Sequence, residues 1–213
     1  MTMQPLPALD TTHLLALAAA LGWASGLRLY AVVFLTGLAG ALGYVPLPEG
    51  LKVLQHPAML WASGAMLAVE FLADKVPWID SLWDAVHTFI RIPAGAALAY
   101  AVFGGGGDQQ TWASVAALLG GTLAATAHAA KATTRAAANT SPEPFSYLLL
   151  SLTGDALVPT MLWLALAHPL WFFVALALTL VVMVATVVVL FRFLRGLTGK
   201  LRAHFVPTQV ERA

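Results

Sequence analysis

The sequence predicts an all-α integral membrane protein, a bundle of about six transmembrane helices. Hydrophobic residues make up 60% of the chain, charged residues only 10%, and the mean hydropathy is +0.81. Soluble domains are about 45–50% apolar and about 25% charged, so this composition favours the bilayer as solvent. Several stretches with few or no charges also approach the roughly 20 residues that a spanning helix needs.

Six spans are predicted, in chain order. Residues 1–10 form an N-terminal tail that lacks the positively charged region of a signal peptide, so the first span is expected to be retained. Proline and glycine clusters, such as GGGGDQQ at 104–110 and NTSPEP at 139–144, mark the connectors. The predicted spans are 11–48, 53–69, a third one within 70–107, 111–130, 145–167 and 170–191.

The predicted orientation follows from the basic residues. Residues 192–213 carry Arg192, Arg195, Lys200, Arg202 and Arg212. Lys and Arg in short flanks favour the cytoplasmic side, so this tail is expected to be cytoplasmic. An even number of spans in the single transmembrane domain, 11–191, then predicts that the N-terminus is cytoplasmic as well.

An internal repeat is one reading of the same segments. Aligning the first span with the fourth places Ser25 on His128 and Arg28 on Lys131, and the second and fifth spans align Asp74 with Asp155. Halves of three spans each, 11–107 and 111–191, would form the inverted arrangement seen in many transporters. The matching residues are few, and helices rich in small residues align easily, so the repeat is left open.

Charged residues concentrate in the stretch EFLADKVPWIDSLWDAVHTFIR, residues 70–91. Asp80, Asp84, His87 and Arg91 are spaced by four, three and four, which places them along one helix face. His128, Lys131 and Arg135 form a similar stripe on the fourth span. Ionisable groups inside a membrane face the bundle interior or a polar cavity and pair with one another, so these stripes are expected to meet.

Three motifs resemble a known family. They are G-L-R-x-Y at 26–30, E-F-x-x-D-K-x-P-x-x-D-x-x-x-D-x-x-H-T-x-x-R at 70–91, and H-A-A-K-A-x-x-R-A-A-x-N-T-S-P-E-P-F-S at 128–146. Because it contains these three motifs in order, the chain resembles a family of bacterial polytopic membrane proteins over roughly residues 12–190. The family is catalogued only as a domain of unknown function (forty-one twenty-six). The resemblance implies a bacterial inner-membrane location, and it implies no activity.

The leading functional hypothesis is a transporter or channel for a small ion or an anionic solute. In this hypothesis acidic side chains bind a coupling cation or proton, basic side chains bind the anion, and histidines titrate near neutral pH. The predicted site residues are Glu70, Asp74, Asp155, Arg28, Lys131, Arg135, His87, Arg91 and His128.

Two alternatives stay open. In the first, the charges form an ion-pair network that only stabilises a structural subunit, which suits the connector residues Lys75, Asp80 and Glu143 best. In the second, an intramembrane lipid-phosphate enzyme holds Mg²⁺ on three aspartates, namely Asp74, Asp80 and Asp84, although the common hydrolase and nucleotide-binding motifs are missing.

Composition also limits the partners. The net charge of +1 gives no reason to expect nucleic acid, and the absence of cysteine excludes thiolate metal sites. Membrane lipids and a small solute are the expected partners. No cofactor is expected, and homo-oligomerisation is left open.

Overall fold

The computed structural model describes residues 9–104, 110–138 and 144–205, and these residues are almost entirely helical. Within them the protein is an all-α membrane bundle, as the composition predicts. The helices are α1 (Thr11–Ala41), a 3₁₀ helix (Glu49–Gln55), α2 (Pro57–Ala73), α3 (Pro77–Phe103), α4 (Gln110–Ala138), α5 (Pro144–Ala167) and α6 (Pro169–Phe205).

Prolines mark where several helices begin. Helices α2, α3, α5 and α6 each start at a proline, whose fixed φ and missing N–H suit the first turn of a helix. Five of the helices are long and apolar enough to cross a membrane, whereas α2, with 17 residues, is shorter. The protein is therefore a multi-pass helical membrane protein, with α2 as a short sixth helix.

Helix α1 is interrupted at Arg28, whose backbone torsions (φ −147°, ψ 82°) are not helical. The first arm, residues 11–27, runs in the same direction as α4, because Gly22 packs on Gly120 and Gly26 packs on Ala124 further along both helices. Lys131 then reaches the carbonyl oxygen of Leu27. The first arm and α4 therefore approach the charged region together.

The second arm, residues 29–41, runs back in the opposite direction. It is antiparallel to α2, since Arg28 contacts Asp74 whereas Phe34 packs on Gly64. Its far end packs on the 3₁₀ helix, which lies against Ala101 near the end of α3. Helix α1 is thus a hairpin with Arg28 at its tip, which we call the α1 hairpin.

The hairpin corrects three expectations from the sequence. Residues 11–48 do not form one span, because the chain reverses at Arg28. The first arm is parallel to α4, whereas an inverted repeat of halves 11–107 and 111–191 needs these two helices to be antiparallel. The described chain also begins and ends at opposite ends of the bundle, whereas the sequence predicts both termini on one side.

We expect the N-terminus to lie outside the cytoplasm and the C-terminus inside it. Most basic residues, among them Lys75, Lys131 and Arg135, lie at the tip end of the bundle, whereas Lys52 lies at the other end. By the positive-inside rule we expect the tip end to face the cytoplasm. Alkaline phosphatase joined to the N-terminus through a flexible linker should be active, whereas the same enzyme joined to the C-terminus should be inactive. Equal activity of the two fusions would contradict the hairpin topology.

Small residues bring the central helices into contact. Gly22, Gly95 and Gly120 meet where the first arm crosses α3 and α4, and their backbones approach too closely for larger side chains. Such close approach is the usual basis of helix association in membranes, where the hydrophobic effect between helices is weak. Among the five long apolar helices, α1 is the most buried, with 78% of its apolar stretch inside the bundle, whereas only 6% of the apolar stretch of α6 is buried.

Candidate functional site

Ten charged side chains from α1 to α5 meet around the tip of the α1 hairpin. Five are acidic and five are basic, so the group is neutral when all are ionised. We call this group the charged cluster; its members are Glu70, Asp74, Asp80, Asp84, Asp155, Arg28, Lys75, Arg91, Lys131 and Arg135.

One end of the cluster is fully enclosed. Arg91 is 0% exposed and binds two carboxylates, donating from Nη2 to Glu70 Oε1 at 2.8 Å and from Nη1 to Asp84. Glu70 is also 0% exposed, and its Oε2 has no hydrogen-bond partner within the described parts of the chain. Glu70 lies in the last turn of α2 and Arg91 lies in α3, so this ion pair joins the short helix to its neighbour.

Lys131 occupies the centre of three aspartates. Its Nζ lies 3.0 Å from Asp74 Oδ1, 3.1 Å from Asp84 Oδ1 and 3.8 Å from Asp80 Oδ1. The three carboxylates approach one another within 4.8 Å, close enough to hold a cation. Because the ammonium group already supplies the positive charge there, this arrangement does not favour Mg²⁺ at these residues.

Asp80 is more deeply buried than its position suggested. It lies in the first turn of α3, where an acid is expected at a helix N-terminus, yet it is 0% exposed. Arg135 Nη1 lies 3.5 Å from its Oδ2 and donates to the backbone carbonyl of Asp74 at 3.0 Å. The assignment of Asp80 to a solvated connector was therefore wrong, because α4 covers it.

Arg28 joins the cluster to α5. Its Nη2 lies 2.9 Å from Asp74 Oδ2 and 2.8 Å from Asp155 Oδ1, and it donates to the carbonyl and hydroxyl oxygens of Ser151 at 3.3 Å. Lys75 approaches the other oxygen of Asp155 at 3.5 Å. Arg28 is only 3% exposed, and neither its Nε nor its Nη1 finds a hydrogen-bond acceptor among the residues that the structure describes.

A cavity of about 480 Å³ adjoins Arg28, between α1, α4, α5 and α6. We call it the tip cavity. Its charged lining residues are Arg28, Lys131, Arg135 and Asp74, three cations against one carboxylate, and hydroxyl groups of Thr134, Ser151, Thr153, Thr179 and Thr186 also line it. The rest of the lining is apolar. Three cationic residues on one side of the cavity suit that side to an anionic group.

A second cavity, of about 430 Å³, lies nearer the other end of the bundle. It is lined by both arms of the α1 hairpin, through Leu17 and Leu35, and by Trp163 of α5. We call it the arm cavity. Fully buried side chains of Val32 and Val158 lie between the levels of the two cavities along the second arm and α5. The two cavities therefore follow one another along the same pair of helices.

The two predicted histidines face different neighbours. His128 contacts the Thr88 hydroxyl at 2.7 Å and lies 3.5 Å from Arg91 Nη1, at the enclosed end of the cluster. His87 instead stacks on Trp83, with ring centroids 4.1 Å apart, and contacts the Tyr30 hydroxyl at 3.1 Å. His87 thus lies beside the charged cluster, between α1 and α3, rather than inside it.

Most of the residues predicted from the sequence therefore lie together. Eight of the nine predicted site residues belong to the charged cluster or touch it, and His87 is the exception. Sequence reasoning missed Ser151 as a partner of Arg28, although the repeat alignment placed Ser151 on Glu70. It also missed the helix break at Arg28. Glu143 falls outside the described residues.

Residues 15–189 match the protein family described as Domain of unknown function (DUF4126). The chain belongs to this family. Searches of curated proteins and of solved structures found no significant match. The match covers the whole α1 hairpin beyond its first turn and extends to α6, so every member of the charged cluster lies inside the family region.

Proposed function

We propose that this protein is a membrane transporter for a small ion or an anionic compound, whose charged group binds in the tip cavity. The observation that carries the proposal is Arg28. This buried guanidinium group has two donors without acceptors among the described residues and adjoins the cationic wall of a cavity inside a membrane bundle. Buried ionisable groups in membranes mark substrate and ion pathways by default.

The helix break at Arg28 supports the same proposal. Non-helical backbone at membrane depth is tolerated only where protein or a water-filled cavity surrounds it. Transporters commonly place such breaks at the binding site. Here Lys131 approaches the Leu27 carbonyl at 3.5 Å, so a cation of the cavity wall also compensates a backbone group that the break leaves open.

The arm cavity supports transport rather than binding alone. A transported solute needs access from both membrane faces, and the two cavities lie on either side of the level of Val32 and Val158. Apolar constrictions of this kind can gate a pathway by excluding water. Pro159, directly after Val158, cannot donate the helical hydrogen bond to the Asp155 carbonyl, which weakens α5 between the two cavities.

A second candidate function is structural. Ten charges balance to zero, and every member has an opposite charge within 3.8 Å. This balance favours a network that fixes helix packing. A purely structural network does not need a cavity next to Arg28, whose Nε and Nη1 lack hydrogen-bond acceptors among the described residues. We therefore favour transport.

Transport should depend on Arg28. We expect proteoliposomes of the protein to move at least one anion of a panel comprising chloride, phosphate, glycerol 3-phosphate and a fluorescent phosphatidic acid. Current on a solid-supported membrane reports the soluble anions, and loss of protection from dithionite reports the lipid. Arg28→Gln should lower the rate at least tenfold, because the anion loses its buried charge.

Lys52→Gln is the matched control, since Lys52 is an exposed lysine of the 3₁₀ helix and does not line the tip cavity. Its rate should equal that of the unmodified protein. Folding of each variant is checked by the elution volume in size-exclusion chromatography. If a folded Arg28→Gln variant moves every panel member at the unmodified rate, or if the unmodified protein moves none of them, transport through this site is contradicted.

A further inference from the structure

The rim of the tip cavity belongs to the outer surface of the bundle. Leu178 and Val182 of α6 line the cavity and are 64% and 63% exposed. Thr153 of α5, across the cavity from them, is also exposed. The neighbouring surface of α6 is a band of exposed apolar side chains, which includes Val174, Val181, Val184, Val188 and Val189. A membrane span with this surface faces hydrocarbon, so the rim opens toward lipid.

The two ends of the cavity differ in chemistry. Its inner wall carries Arg28, Lys131 and Arg135 against Asp74 alone. The other carboxylates that pair with these cations are outside the cavity lining, namely Asp80, Asp84 and Asp155. The wall toward the rim is formed by apolar side chains such as Leu157, Leu178 and Val182. A ligand that satisfies both ends has an anionic group at one end and a hydrocarbon part at the other.

We propose that the ligand of the tip cavity is a membrane lipid with a phosphomonoester headgroup. This proposal rests on the proposed function and names its substrate class. A phosphomonoester carries about −1.5 to −2 charges near neutral pH, which suits a lining that contains three cations and one carboxylate. Arginine binds phosphate oxygens through parallel N–H groups. Nε and Nη1 of Arg28 are buried and have no acceptor among the described side chains and backbone, so the guanidinium group would turn this edge toward the cavity to bind the headgroup.

The size of the cavity fits the headgroup and not the whole lipid. About 480 Å³ lies within the range of small-molecule sites, roughly 300–1,000 Å³. The acyl chains therefore leave the cavity past Leu178 and Val182 and remain in the bilayer. Soluble phosphates share the headgroup chemistry. The lipid is favoured over them because the rim is apolar and exposed on a membrane-facing helix.

The test compares lipid and soluble phosphates on the purified full-length protein in detergent. The thermal midpoint is measured against dioleoyl phosphatidic acid, dioleoylglycerol, inorganic phosphate and glycerol 3-phosphate. We expect phosphatidic acid to raise the midpoint in a saturable way and the uncharged diacylglycerol to leave it unchanged. Leu178→Trp, which places a bulky ring at the rim, should raise the half-saturating concentration of phosphatidic acid at least tenfold.

Leu170→Trp is the matched control, because Leu170 is also exposed on α6, at 72%, but lies outside the cavity lining. It should bind phosphatidic acid as the unmodified protein does. If the soluble phosphates bind saturably and phosphatidic acid does not bind, the lipid inference is overturned and the proposed function still stands. Phosphatidic acid binding that Leu178→Trp does not weaken would place the lipid elsewhere and overturn the inference. Failure of all three phosphates to bind would overturn the lipid inference, whereas the proposed function stands or falls separately with the transport assay of Arg28→Gln.

Discussion

Arg91→Met should destabilise the protein by about 3–5 kcal/mol, the usual cost of removing one partner of a buried ion pair. The substitution leaves Glu70, which is fully buried, without its opposite charge, and it removes one of two cations beside Asp84. The midpoint of unfolding in a mixed detergent and SDS titration measures the loss. The expected change is a clear shift toward lower SDS fraction.

The double substitution Arg91→Met with Glu70→Gln is the control that isolates the ion pair. It removes the uncompensated carboxylate and keeps nearly the same volume, so much of the lost stability should return. If Arg91→Met alone is as stable as the unmodified protein, Arg91 and Glu70 do not form a buried ion pair. If the double variant is less stable than the single one, the pairing of these two residues is wrong.

Gly26→Val should prevent the first arm from packing on α4. A Cβ at Gly26 would overlap the carbonyl oxygen of Ala124, which is backbone and cannot turn aside, and it would lie 2.9 Å from the Ala127 Cβ. Overpacking of a well-packed core costs about 1–3 kcal/mol and sometimes more, and a backbone clash belongs to the upper end. We expect low yield of folded protein, measured by fluorescence-detected size-exclusion chromatography.

Gly121→Ala provides the comparison on α4 itself. Its added Cβ would meet the Ala96 Cβ at 3.3 Å, a tight contact that a small shift can relieve. Expression and elution of this variant should resemble those of the unmodified protein. A well-folded, stable Gly26→Val protein would mean that the first arm does not lie against α4, and the hairpin would have to be abandoned.

The sequence predicts the helices of this protein better than their path. Helices α2, α3, α5 and α6 are apolar runs that begin at a proline, and α4 is an apolar run that follows the glycine-rich connector; these are local signals that tertiary packing does not need to create. The break at Arg28 has no such signal. The apolar run continues through it, and the chain reverses because small residues let the first arm approach α4 and because Asp74 and Asp155 hold the Arg28 side chain.

The candidate site is likewise predictable from the sequence only in part. Pairing of the stripes on α3 and α4 follows from helical spacing, since residues four apart face one direction and buried charges need partners. The burial of Asp80 does not follow, because the residues that cover it come from α4, more than fifty positions later. The excess of cations in the tip cavity is likewise invisible in a sequence whose net charge is only +1.

The position of a bound oxyanion tests the central claim most directly. Crystals of the protein soaked in selenate would locate the anion by its anomalous scattering. A peak is expected in the tip cavity, with selenate oxygens about 3 Å from the guanidinium nitrogens of Arg28, and it should be lost in Arg28→Gln. Selenate bound only at the exposed surface, with the tip cavity empty, would contradict an anion site at the α1 hairpin.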